Sequence, residues 1–293
     1  MTRANIQQTP YFQLPRILFL FTAQVFTGTF ILHFLVVYFT FKENLFRQRL
    51  ADFTNYIPYY IAGTLLVAFL YFIGLKKNNY FDLEKSARNH PPDFHPVMAL
   101  LASGLLLLIA NFFSGIKHFG YVFAAAGMIY ALFQLSRIYT FNYSRPSWQH
   151  PTTAGAVIFG AFLSGLSICL LLIGEWEVLS LLGKLIFATL IFQTLIVWSR
   201  FRYLSSANAV TYQTVKMMLG NYLLLFAVRF VFGLAMPAVY VFWMVFVSPL
   251  PSHPAVLMII VGEISERILF FLTAEAYFGE IHSGEETLNS QEN

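Results

Sequence analysis

Cysteine is almost missing from this chain of 293 residues: Cys169 is the single one. One thiol cannot close an intramolecular disulfide, nor can it ligate an iron–sulfur cluster within the chain. Charge is scarce as well, at 11% of residues. A soluble domain of this length needs more polar side chains than that to clothe its surface. Of the seven histidines, only His33 falls well inside an apolar run. His95 and His118 stand at run edges, and His90, His150, His253 and His282 in polar stretches. Haem held between histidines on facing helices is therefore not expected, and no carboxylate or histidine cluster has metal-ligand spacing. A glycine-rich phosphate loop and a nucleophile motif are also missing. The net charge of +4 is scattered over connecting segments, which is no nucleic-acid footprint.

What the chain does have is apolar length. Hydrophobic residues make up 58%, phenylalanine alone occurs 33 times, and the mean hydropathy is +0.64. Runs of about 20 apolar residues recur from end to end, each long enough to cross a bilayer. Lipid offers backbone groups no partner, so the runs are expected to be helices; they are too long and too uniformly apolar for barrel strands. The prediction is an all-α integral membrane protein, a single bundle of eight transmembrane helices. The spans fall at roughly 16–41, 56–75, 96–114, 119–141, 152–174, 178–199, 219–248 and 254–278. The first run is far longer than a signal-peptide core and lacks a small-residue cleavage site, so it is expected to stay as the first span. The acidic, polar tail at 279–293 is expected to be unstructured. Short connections make spans 3 and 4, 5 and 6, and 7 and 8 antiparallel hairpins. Pro237 and the length of the seventh run predict a tilt, a kink or an interfacial turn there.

An even number of spans puts both termini on one side. Ten lysines and arginines, Arg200 among them, fall on that side and four on the other, which places the termini in the cytoplasm.

Charges inside such runs are costly and mark function or bundle assembly. Glu263 and Arg267, four residues apart in "VGEISERILFF", share a helical face in the better order for an ion pair. They read either as part of a proton or quinone path or as a structural pair that locks the last span. Glu266 beside them is free to point at another helix. Arg229 lies deeper in its run and needs a partner. Arg137, with Tyr139, ends the fourth run, where its head group either snorkels to the interface or faces Glu263 or Glu266. Lys184 sits near a run end and is expected to snorkel. Gln24 and Gly28 share a face suited to close helix packing and an interhelical hydrogen bond.

Several local patterns resemble the DmsC family, the membrane anchor subunits of dimethyl sulfoxide reductase-type enzymes. "LPRILFLFTAQVFTGTFIL" is similar to that family's first span, with Gln24 and Gly28 in place. "LASG" at 101–104 resembles the start of its third. Arg137, Tyr139, Pro146 and Trp148 resemble its Arg-x-Tyr followed by Pro-x-Trp, and Gly262, Glu263 and Arg267 its last-span Gly-Glu-x-x-x-Arg. The resemblance implies an anchor for two partners, a molybdopterin catalytic subunit and an iron–sulfur electron-transfer subunit, in the bacterial cytoplasmic (inner) membrane. It implies that menaquinol is bound and its electrons passed on in anaerobic respiration, with no haem or metal in this chain. The chain departs from the family at the quinol residues. The family's His-Leu-Gly-x-Pro reads "IGLKKNN" here, and the glutamate before its Ala-Ser-Gly is Leu100. His90, Asp93 and His95 are the nearby groups able to accept quinol protons. Two other classes stay open: a secondary transporter that uses the buried charges to bind its solute, and a non-redox assembly or sensory protein whose charges are all structural.

Overall fold

In a computed structural model, residues 14–38, 43–77, 94–140, 151–173, 176–206 and 209–289 are described. Among them there is no strand. The helices are α1 (Leu14–Tyr38), α2 (Glu43–Lys77), α3 (Phe94–Phe112), α4 (Lys117–Thr140), α5 (Pro151–Leu172), α6 (Trp176–Ser206), α7 (Ala209–Leu219), α8 (Leu223–Phe230), α9 (Met236–Phe246) and α10 (His253–Asn289). A 3₁₀ turn, Ser114–Ile116, joins α3 to α4. A π turn, Val231–Ala235, joins α8 to α9.

Seven helical stretches are long and apolar enough to cross a membrane. They are the first six spans expected from the sequence and Leu223–Phe246, which runs through α8, the π turn and α9. The protein is a multi-pass, all-helical membrane bundle. The eighth expected span lies in α10, whose first half carries three charged residues, Glu263, Glu266 and Arg267. It is packed inside the bundle all the same, against α1, α5, α7, α8 and α9.

Two buried apolar clusters build the core. Leu20, Phe30, Phe53, Ile57, Leu100, Tyr121 and Met128 tie α1 to α2, α3 and α4. Leu163, Leu182, Ile186, Val241 and Ile259 tie α5, α6, α9 and α10 together, with Leu32 of α1 at their edge. Of the seven stretches, those in α1 and α5 are the most deeply packed, with 61% of their apolar windows buried against 28% for α6. The outer faces carry exposed Phe112, Phe119, Phe123, Leu224 and Trp198, an apolar surface made for lipid.

Several hydroxyl side chains in these helices are satisfied locally. Thr29, Ser103, Ser164 and Ser167 each donate to the carbonyl four residues back. Pro151 opens α5, where its missing N–H is no loss. The seventh run is broken rather than simply tilted. Pro237 has no N–H to offer Gly233, and its ring crowds that carbonyl. The backbone widens just ahead of it, and the Met236 N–H bonds to Val231 O, five residues back.

Three boundaries differ from the sequence reading. Helix α2 starts at Glu43, because "ENLFRQRLADF" is a good helix former that continues the membrane run outward. Helix α6 extends to Ser206, so Arg200, counted from the sequence as a flanking loop cation, belongs to the bundle. Helix α10 runs on to Asn289, into the tail expected to be unstructured; adding Glu- and Leu-containing turns to an existing helix needs no new nucleus.

Candidate functional site: a buried chain of alternating charges

The charged residues buried among those described all lie in one place: Arg200, Arg229, Glu263, Glu266 and Arg267. Three of them come from one face of α10, one from α8 and one from α6. They form a chain that alternates in sign. Arg267 Nη2 donates to Glu263 Oε2 at 3.3 Å, the i,i+4 pair expected from the sequence, through one nitrogen rather than a fork. Glu263 Oε1 accepts from Arg229 Nη1 at 3.0 Å. Arg229 Nε donates to Glu266 Oε2 at 3.2 Å. Glu266 Oε1 accepts from Arg200 Nη1 at 3.5 Å. The partner that Arg229 requires is thus a pair of carboxylates one helical turn apart, and its third nitrogen, Nη2, donates to Gln193 Oε1 of α6 at 3.1 Å.

Glycine makes this convergence possible. Gly233 of the π turn lies directly on Gly262 of α10, and a methyl group at Gly233 would sit 2.8 Å from the Gly262 Cα. That contact draws the broken helix onto α10 one residue from Glu263. On the opposite side, Gly160 of α5 leaves room for three polar groups. A methyl there would come within 2.7 Å of both Arg267 Nη2 and Glu263 Oε2, and 3.3 Å of Gln24 Nε2. Gln24 donates from α1 to Val157 O at 2.6 Å, and Arg267 Nη2 to Ala156 O at 3.0 Å, both on α5. Gly28, one turn on, rests against the backbone of Ala161.

The remaining sequence-derived positions lie apart. Arg137 is exposed on the last turn of α4, outside the cluster. Tyr139 is on that same turn, with a side chain outside the described residues, and His90 and Asp93 lie outside them too. His95 is exposed at the start of α3, its ring beside Phe94. Leu100 is buried in the core and cannot take a proton. Lys184 is exposed, as snorkelling requires. His33 is buried and pairs with Tyr60 at 2.9 Å inside an aromatic shell of Phe53 and Tyr56.

Two cavities border this architecture. The larger, about 250 Å³, is lined by Leu170, Leu179, Met244, Val245 and Leu250, with Ser180, Ser252 and His253 as its polar groups. It sits at the start of α10, ten residues or about 15 Å along the helix from Glu263. The smaller, about 30 Å³, is bordered by Arg200, Arg229 and Glu266 together with Phe201, Leu204 and Phe270. Reasoning from the sequence missed His253 and Gln193 as site residues and counted Arg200 only as a flanking cation. Gln193 was visible as a lone amide in an apolar run; nothing marked Arg200 as facing inward.

No family model matches the chain, and no curated protein matches it.

Proposed function

We propose that this chain is the membrane anchor subunit of a multi-subunit molybdopterin oxidoreductase of the dimethyl sulfoxide reductase type. In this reading it binds menaquinol in the bacterial cytoplasmic membrane, and α10 is its eighth span. The electrons of the quinol then go to an iron–sulfur subunit; among the described residues no cluster of histidine, cysteine or carboxylate groups could hold a metal. The observation behind the proposal is a convergence. Gln24 and Gly28 of the first span and Gly262, Glu263 and Arg267 of the last resemble the family's motifs, and Gln24, Gly28, Glu263 and Arg267 meet on one stretch of α5 although over 200 positions separate the two groups.

A quinol needs an apolar slot, hydrogen-bonding groups for its hydroxyls and a proton acceptor. The cavity at the start of α10 offers all three, and its residues fit a quinol head group. Leu170, Leu179, Met244 and Leu250 would hold the rings, Ser180 and Ser252 would orient the hydroxyls, and His253 would take a proton. This role for His253 replaces the one the family gives to residues that stand here as "IGLKKNN" and Leu100. The charge chain holds α10 in register with α5, α6 and α8, and so fixes the floor of that slot.

The test is purification of the chain from its native membranes in mild detergent, followed by identification of the accompanying proteins and their molybdenum and iron. A molybdopterin subunit and an iron–sulfur subunit should come with it, and His253→Ala should lower quinol oxidation at least tenfold while the complex stays assembled. A chain that purifies alone and metal-free would sink the proposal.

One observation favours a second reading, transport. A membrane helix broken at a π turn beside a buried arginine is the kind of element that lines a solute path. Solute uptake by the chain alone in liposomes would select that reading.

A further inference from the structure

The five buried charges do not cancel. Three guanidinium groups face two carboxylates, which leaves the cluster with one net positive charge inside a membrane bundle. Arginine does not shed its proton in proteins, so the excess cannot be removed by titration. Both carboxylates already accept two N–H bonds each, one on every oxygen. Yet donors at both ends of the chain have no acceptor, Nε and Nη2 of Arg200 at one and Nε and Nη1 of Arg267 at the other, as does Nε2 of Gln193 beside the central Arg229. A buried donor without an acceptor is costly, more so when it is charged, so each end of the chain has donors for an acceptor that the protein does not supply.

The Arg200 end has the space for one. Its Nε–H and Nη2–H point the same way, as the side-on fork with which arginine grips an anion. The small cavity of about 30 Å³ lies against this residue. That is room for one ion or one or two waters, and too little for a phosphate or a carboxylate-bearing solute. Its remaining wall is apolar, with Val197, Leu204, Met218 and Phe270, so water has few partners there beyond the charged edge. Arg200 itself is 6% exposed, and its guanidinium carbon lies over the Phe270 ring, 5.3 Å from the centroid.

We infer that a single halide-sized monovalent anion, chloride under ordinary conditions, binds in the cavity beside Arg200 and completes the charge balance of the cluster. The inference is independent of the anchor and transport readings, because it rests only on the excess charge, the unsatisfied donors and the cavity.

Thermal unfolding of the purified full chain is followed in sodium chloride, sodium bromide and sodium gluconate at constant ionic strength. The midpoint should rise saturably with chloride and bromide and stay flat in gluconate, which is too large to enter. Leu204→Phe fills the cavity with all five charges in place and should abolish the halide response. Arg200→Gln removes the excess charge and should do the same. Should Arg200→Gln fail to fold, Leu204→Phe and bromide-soaked crystals still decide, through an anomalous peak beside Arg200. Equal midpoints in chloride and gluconate, a halide response surviving in Leu204→Phe, or water alone at that position would overturn the inference.

Discussion

Arg229 commits every guanidinium nitrogen to a partner, two on α10 and one on α6. Removing it therefore does more than delete one pair. In Arg229→Leu, Glu263 and Glu266 would face each other with only the two outer arginines for compensation. Breaking a buried charge pair by removing one partner typically costs about 3–5 kcal/mol, because the other charge stays behind. We expect Arg229→Leu to lower stability by that order in a detergent unfolding titration. Lys184→Ala, on the lipid-facing side, should change it by less than about 0.5 kcal/mol. Equal effects of the two substitutions would mean that the chain of charges does not hold the bundle. At this scale the sequence was partly readable. The i,i+4 spacing exposed Glu263 and Arg267, and the depth of Arg229 showed that it needs a counter-charge. Arg200 escaped notice because it follows a tryptophan and a serine at the end of an apolar run, where a cation usually reaches for the head groups. Only the packing of α7 and α10 around that end turns it inward.

Between α10 and the broken helix, the contact is set by absence of side chain rather than by attraction. Gly262 and Gly233 meet Cα to Cα, and a methyl on Gly262 would overlap the backbone opposite. Backbone cannot move aside as a flexible side chain can, so the two elements must part. Overpacking of this kind costs about 1–3 kcal/mol. Gly262→Ala should fall in that range and lengthen the Arg229 to Glu263 bond. Gly115→Ala, with nothing within 4 Å, should be nearly silent in the same unfolding measurement. The helices themselves follow from apolar run length, and that was legible throughout. The break at 231–235 was legible only as a proline in an overlong run. Proline tells that the ladder must fail, but a kink, a tilt and a wide turn all satisfy it, and the choice falls to the Gly233–Gly262 contact.

For the molecule as a whole, the open structural question is whether α10 crosses the bilayer. Seven stretches qualify on length and apolarity, and α10 falls short on account of its three charges. The charge chain favours a crossing. Each of those charges is met by an opposite charge inside the bundle, so none of the three is presented to lipid unpaired. The apolar residues around them, Ile259, Phe270 and Phe271, are buried in the same core clusters as the other spans. From His253 to Thr273 the helix covers about 30 Å, the thickness of the hydrocarbon layer. We therefore expect Ser252 and Thr287, replaced one at a time by cysteine in a Cys169→Ala background, to react with an impermeant thiol reagent from opposite faces of the membrane. Thr287→Cys should label only after the cells are opened, since the lysine and arginine bias puts that face in the cytoplasm. Labelling of both from the same face would leave α10 on one side and reduce the bundle to seven spans. It would also put the two ends of the chain on opposite faces of the membrane, against the expectation that an even number of spans leaves them on one side.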